Sequence, residues 1–366
     1  MLLKVLIVSN IPSPYFVNYC DELGKYVDLT VLFELKNAKD RDETWRSSLT
    51  NRRFKYVFLN GRRFSAESGL SFKVKKYLKD RSYDRVIIAN PSTPTGIISL
   101  LYCRRKKIPF ILQSEGGFQG SGKGFKERFK KYLMENATMY LTGMGGDDDY
   151  FLKYGATKEK LKSYYFTSSY GKDIDDRVLS FNEKKALKQQ LGVKTSKMIL
   201  YVGQFIYRKG IDILLKSIEK NYEDVSIYLI GGELTKEYDQ IISENNIKNV
   251  FAKPFMSKEE LRAFYQAADI FVMTTREDTW GLVVNEAMEH GLPVITTTRC
   301  IAGKNLIEDG LNGYLVPPEN FELTRKRIDE LLNNSKLCEV MGKNNLNKIK
   351  SHTIENMALT IYKYIK

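Results

Sequence analysis

Residues 270–294 read IFVMTTREDTWGLVVNEAMEHGLPV, an apolar β-branched run, a polar loop and an amphipathic segment in succession. The run Ile270–Thr274 predicts a strand, and a helix is predicted to open near Gly281. In α/β sheets ligands bind where strand ends lead into helix starts, and the free N–H groups of such a helix suit phosphate. Gly281 lets a phosphate or sugar approach the backbone closely. Asp278 is expected at the lip of such a site, with Glu286 eight residues further on, inside the helix. Two acceptors so separated can meet hydroxyls on two parts of one nucleotide sugar.

A second segment, Gly203-Gln204-Phe205-Ile206-Tyr207-Arg208-Lys209-Gly210, again lies between a predicted strand and a helix. Adjacent cations flanked by glycines suit a diphosphate, where they would neutralise charge on a departing phosphate. The ordinary fate of such a pair is solvated surface charge. Gly-x-x-x-x-Gly-Lys-Ser/Thr is absent, which argues against nucleotide hydrolysis on a P-loop.

Working outward, short β-branched runs alternate with helical patterns along the whole chain. Strands are predicted at Lys4–Ser9, Asp28–Phe33, Lys55–Leu59, Arg85–Ala89, Phe110–Gln113 and Met139–Thr142. Others follow at Met198–Val202, Ser226–Ile230, Val250–Ala252, Ile270–Thr274 and Val294–Thr297. Helical spacing marks Phe16–Leu23, Ser71–Lys79 and Gly96–Lys106, and Ser257 with Glu260 predicts a capping box. Such alternation implies right-handed βαβ units and parallel sheets. The polar stretch Gly171–Ser196 divides the pattern into two α/β sets, predicting two Rossmann-like domains facing each other across a cleft.

Composition narrows the chemistry. The 366 residues hold 58 Lys and Arg against 44 Asp and Glu, a net charge of +14. Residues 1–170 carry 30 basic and 17 acidic side chains, so the excess belongs to the first half and calls for an anionic partner. The four cysteines form no Cys-x-x-Cys pair, which disfavours zinc and disulfide frameworks. Only His290 and His352 are present, so histidine-rich metal sites are excluded and no histidine in the first half can act as a base. Asp147-Asp148-Asp149 has Asp-x-Asp spacing but reads as a helix N-terminus. No secretory leader or spanning helix is expected.

The two loop segments, with Ile230-Gly231-Gly232 and Asn312-Gly313-Tyr314-Leu315-Val316, resemble the family 4 retaining glycosyltransferases of the polysaccharide and capsule-assembly type. That resemblance implies the GT-B fold, with an acceptor-binding domain at 1–170, a donor-binding domain at 171–352 and a last helix, 353–366, returning to the first domain. In the family, a Glu-x7-Glu element meets the donor sugar and ribose; the matching positions are Asp278, one methylene shorter, and Glu286. The family's Arg/Lys pair on the donor diphosphate corresponds to Arg208 and Lys209, with Gln204 standing where many members have Arg. The donor would therefore meet Gly203, Gln204, Arg208, Lys209, Asp278, Thr279, Trp280, Gly281, Leu282, Val283 and Glu286, and UDP is the family's common nucleotide. On the acceptor side the resemblance points to Pro14, Tyr15, Gly116 and Gly117. Glu115 is the catalytic candidate where many members have histidine. It further implies retention without a metal, the leaving diphosphate taking the acceptor proton.

The basic excess has its own reading. A helix over Gly122–Leu133 places Phe125, Phe129, Tyr132 and Leu133 on one face, flanked by Lys126, Lys130 and Lys131. This is the pattern of an interfacial helix on an anionic bilayer, and it predicts a cytoplasmic protein peripheral to the inner face of the cell membrane. A glycan or polyprenyl-linked acceptor would fit such a location. Two alternatives remain open: a GT-B sugar-nucleotide epimerase, and a catalytically silent basic protein bound to membranes. Nucleic-acid binding is disfavoured, since no recognisable module is present.

Overall fold

The computed structural model describes residues 2–39, 49–114, 124–144, 148–218 and 222–366. The chain divides into two compact units, Met1–Ser168 together with His352–Lys366, and Ser169–Ser351.

The first unit contains strands β1 (Lys4–Ser9), β2 (Asp28–Phe33), β3 (Lys55–Phe58), β4 (Arg62–Arg63), β5 (Gly69–Leu70), β6 (Arg85–Ile88), β7 (Ile111–Ser114), β8 (Met139–Gly143) and β9 (Leu161–Tyr164). Its helices are α1 (Pro14–Leu23), α2 (Val74–Lys79), α3 (Pro94–Lys106), α4 (Phe125–Met134) and α5 (Asp148–Lys153). Seven strands form a parallel sheet in the order β3-β2-β1-β6-β7-β8-β9, and β4 pairs with β5 as a separate antiparallel hairpin. Val5 to Val8 are all buried, as a parallel strand covered on both faces requires. Leu6, Val8 and Ile88 share one core with Val74 and Leu78 of α2, Leu100 of α3, Leu133 of α4 and Phe151 of α5.

The second unit contains β10 (Lys197–Val202), β11 (Val225–Ile230), β12 (Val250–Lys253), β13 (Ile270–Met273), β14 (Val294–Thr297) and β15 (Gly313–Val316). Its helices are α6 (Phe181–Gln190), α7 (Ile211–Lys216), α8 (Lys236–Glu244), α9 (Lys258–Ala267), α10 (Leu282–Glu289), α11 (Ile301–Leu306), α12 (Phe321–Leu332) and α13 (Ser335–Ile349). The strands run parallel in the order β12-β11-β10-β13-β14-β15, a doubly wound sheet whose order reverses between β10 and β13. Helix α14 (Ile354–Ile365) belongs to the first unit. There Tyr362 stacks on Tyr26 with centroids 5.1 Å apart, and Arg85 Nε donates to the Ile365 carbonyl at 2.8 Å.

Four differences from the sequence reading have local causes. Strand β9 is a sheet edge of mixed polarity, Leu-Lys-Ser-Tyr, with too weak an apolar signal to register. Strand β15, recognised only as a motif, is the opposite unit's edge. The stretch Gly171–Ser196 contains α6, started by a capping box in which Ser180 N donates to Glu183 at 2.9 Å. Helix α2 opens at Val74 rather than Ser71, because Ser71 instead ties Thr95 and the Leu59 carbonyl. The capping box at Ser257 and Glu260 is present as expected.

Glu34, directly after β2, is wholly buried. It accepts from the Gly69 amide at 2.9 Å and from the Thr93 hydroxyl, tying the β4–β5 hairpin to the start of α3. Burial pushes its carboxyl up to about 7, against the lowering effect of bonds from Gly69, Thr93 and Gly96. A carboxyl raised on folding contributes stability that is fully present below its unfolded value and is lost as pH rises through 7. Melting measured from pH 5 to pH 8 is expected to show this loss in the native chain and a shallower decline in Glu34→Gln. The two curves should diverge by up to about 3 kcal/mol. Parallel curves would remove Glu34 as the titrating group.

Candidate functional site

The reversal of strand order in the second unit brings two connections together, the one after β10 and the one after β13. The first carries the turn Tyr207–Lys209 and then Gly210, at φ 67°, before α7. A Cβ on Gly210 would lie 2.0 Å from the Thr274 carbonyl oxygen, so only glycine allows the two backbones to meet here. Thr274 Oγ1 donates to the Gly210 carbonyl at 2.7 Å, and Thr275 Oγ1 and the Arg276 amide donate to the Arg208 carbonyl at 3.0 and 2.9 Å.

The side chains then close the circuit. Lys209 Nζ pairs with Asp278 Oδ2, and Arg208 Nη1 reaches Asp278 Oδ1 at 3.5 Å and the Glu277 carbonyl at 2.9 Å. Asp278 is therefore not a free acceptor at a lip, as its sequence position suggested. It is 6% exposed and neutralises part of the paired cations' charge, leaving the trio at +1. Its carboxylate lies beneath Gly281, whose φ of 102° opens α10. Cations and the first-turn amides of a helix thus converge on one spot, an arrangement suited to phosphate.

Other expected donor residues divide into two groups. Thr279 is exposed, and Gln204, Leu282 and Val283 are half-buried. Trp280, by contrast, is buried: its indole donates to Asn285 at 2.9 Å and its carbonyl accepts from the Ala302 amide at 2.8 Å, so it supports the loop from within. Gly203 and Gly231 mark a second close approach, since a Cβ on Gly231 would stand 2.4 Å from the Gly203 carbonyl.

Glu286 projects from α10 and accepts from the Tyr265 hydroxyl at 3.0 Å. Tyr265 is buried and stacks on His290, whose Nδ1 lies 2.8 Å from Asp175. Burial would raise the Asp175 carboxyl, but bonds with His290 and Gln266 and the charge of Arg262 hold it below the usual range. Next to them Lys258 contacts buried Glu289 at 3.3 Å and Asp173 at 3.2 Å. Burial would lower that ammonium; Glu289, Glu286 and Asp173 outweigh it and raise it. His290 is thus part of the packing under α10. Arg276, Tyr265 and Lys258 were not singled out from the sequence, because each acquires its partners only through the fold.

In the first unit, Pro14 opens α1 and Tyr15 packs edge-on against Phe166 at 5.7 Å. Glu115, Gly116 and Gly117 lie outside the described residues, as does Asp147; Asp148 and Asp149 sit in the first turn of α5. Helices α2, α3 and α4 lie side by side. Exposed apolar side chains here are Phe72, just before α2, Leu101 on α3, and Phe125, Phe129 and Tyr132 on α4, with Phe125 85% exposed and stacked on Phe129 at 6.3 Å. Lys126, Arg128 and Lys131 are exposed beside them. Two expectations for α4 change: Leu133 turns into the core, and Lys130 Nζ sits 4.5 Å above the rings of Tyr150 and Tyr154. Among the described residues, no helix is long and apolar enough to cross a membrane, and no cluster of three or more His, Cys, Asp or Glu side chains could hold a metal.

Two parallel α/β sheets, the second with paired cations at its strand-order reversal, define a two-unit α/β protein. Residues 183–348, within the second unit, match the family model described as glycosyl transferases group 1. It is 25% identical over 300 residues to an uncharacterized glycosyltransferase of Methanocaldococcus jannaschii, covering 80% of this chain and 78% of that one. It is 27% identical to the capsular polysaccharide biosynthesis glycosyltransferase CapM of Staphylococcus aureus, over 73% of each. The structure of Anabaena HepE, solved with UDP and glucose, superposes with a TM-score of 0.76 at 18% identity, over 99% of this chain and 98% of that one. The fold is GT-B.

Gly210→Ala tests the contact between the two connections. With a carbonyl oxygen in the way and a left-handed φ, it is expected to cost at least about 2 kcal/mol in unfolding experiments. A melting temperature equal to that of the native chain would show that the backbones can separate freely.

Proposed function

We propose that the protein transfers a sugar from a UDP-sugar to a glycan or polyprenyl-linked acceptor in the assembly of a cell-surface polysaccharide. The observation that carries this reading is the meeting of Arg208, Lys209 and the N-terminus of α10 around Asp278, within the part of the chain matched by the family model. A diphosphate placed there would meet the helix amides and the remaining N–H groups of Lys209 and Arg208, with Asp278 still paired to both cations. As the bond from the sugar's anomeric carbon to the phosphate oxygen breaks, these groups stabilise the negative charge on the leaving diphosphate. That diphosphate takes the proton of the attacking hydroxyl on the same face, so the new glycosidic bond keeps the donor's configuration. The charge is met by Arg208 and Lys209, so no metal is required. Asp278, through the lone pairs its cations leave open, and Glu286, held by Tyr265, supply acceptors for the sugar and the ribose. CapM's role in capsular polysaccharide biosynthesis and the UDP and glucose bound by HepE support this choice of donor and pathway class.

A bound nucleotide sugar raises the melting temperature; at a hundredfold excess over its dissociation constant the gain is about 2.7 kcal/mol. UDP-sugars are expected to produce it, and GDP-, ADP- and dTDP-sugars are not. Lys209→Ala should lose most of the gain and at least about tenfold in turnover. The same turnover assay should survive EDTA and give a product with the donor's anomeric configuration by NMR. A shift with a different nucleotide would replace UDP, and none with any would remove the donor site.

The layer of α2, α3 and α4 supports a location on the inner face of the cell membrane, where a lipid-linked acceptor would lie. Each exposed basic residue near an anionic bilayer contributes roughly 1 kcal/mol. Replacing Lys126, Arg128 and Lys131 with Gln is therefore expected to weaken co-sedimentation with phosphatidylglycerol vesicles at low salt by at least about tenfold. Unchanged co-sedimentation would move the contact elsewhere.

A further inference from the structure

We propose that Arg276 is the residue that holds the Arg208–Lys209 turn in place for the donor diphosphate, without touching the donor itself. The proposal rests on the donor reading given above. A guanidinium has five N–H donors, and all five are engaged. Nε donates to Glu319 Oε1, Nη1 to the Tyr207 carbonyl at 2.6 Å and to Asp212 Oδ1 at 2.8 Å, and Nη2 to Asp212 Oδ2 at 2.7 Å and Glu319 Oε2 at 3.3 Å. Its carbon also lies 3.7 Å from the centre of the Tyr207 ring. A phosphate could bind Arg276 only by displacing one of these bonds, so its work is done through the chain.

The segment it holds needs holding. Tyr207–Lys209 is a single 3₁₀ turn without a side-chain cap, too short to persist unaided. Arg276 fixes this turn from both sides: its side chain takes the Tyr207 carbonyl and its amide donates to the Arg208 carbonyl at 2.9 Å. Asp212, in the first turn of α7, carries the same clamp to the next element. Two carboxylates around one guanidinium leave the Arg276 cluster at −1, so it adds no positive charge for the diphosphate beyond that of Arg208 and Lys209. Lysine, with three donors on one atom, cannot replace this planar fork.

The test compares UDP with uridine, which lacks the diphosphate, by calorimetry on the full chain. Arg276→Met and Arg276→Lys are both expected to weaken UDP by at least about tenfold. Uridine affinity should stay within about twofold, since the base and ribose contacts are not routed through the turn. Glu319→Gln, which keeps the Tyr207 and Asp212 bonds, should give a smaller loss of the same selectivity and serves if the Arg276 variants do not fold. Hydrogen exchange gives a readout that needs no ligand: the amides of Lys209 and Gly210 should exchange faster in each variant while those of α13 do not. Retained UDP affinity in a folded variant, equal losses for UDP and uridine, or unchanged exchange at residues 209–210 would each overturn the proposal. Absence of UDP binding by the native chain would instead count against the donor reading, and the exchange result would still decide the clamp.

Discussion

The carboxylate of Asp278, taken between Lys209 and Arg208, is the interaction on which the second unit's site depends. A buried anion has to be paired, and removing one member of such a set leaves the others stranded at a cost of several kcal/mol. Here the pairing also joins two connections 70 residues apart in sequence. The backbones could not come close enough for it without Gly210 against Thr274, and the sheet would not present them side by side without the reversal between β10 and β13. Topology, one glycine and one carboxylate thus act as a single constraint.

Helix α10 is held with comparable firmness along its length. Gly281, just before its first residue, lies against Cys300, whose thiol is pushed up to about 11, chiefly by burial, and is inert at neutral pH. Further along, Tyr265 sets the carboxylate of Glu286 while His290, Asp175 and Lys258 fill the space beneath. Glu286 on this helix is half-buried, and the polar groups that orient it stay inside. Preorganised sites are built this way because a side chain fixed before binding loses little freedom on binding.

How much of this was readable in the sequence depended on the range of the signal. Apolar runs and cap patterns are local, so β1, β13 and α10 could be placed from Val5–Val8, Ile270–Thr274 and Gly281 alone. Gly203–Gly210 and Asp278–Glu286 were legible as candidate ligand loops because strand ends and helix starts recur in sequence. The burial of Asp278 was not legible, since it follows from partners reached only through the sheet order. Arg276 was invisible for the same reason: Asp212 and Glu319 lie 64 and 43 positions away. On α4, helical spacing grouped Phe125, Phe129, Tyr132 and Leu133, but the packing of α5 decided that Leu133 turns inward and Lys130 is held by aromatic rings.

The placement of α14 gives the two units different histories during synthesis. Ser169–Ser351 is an unbroken segment that can complete its core as soon as it leaves the ribosome. The first unit has all its described strands by Tyr164, yet the surface of α1 that packs against α14 stays bare until that helix emerges. At ordinary elongation rates that interval is roughly ten to forty seconds. The half of the protein made first is therefore the half finished last, and it would be the one most exposed to chaperones and proteases on the way.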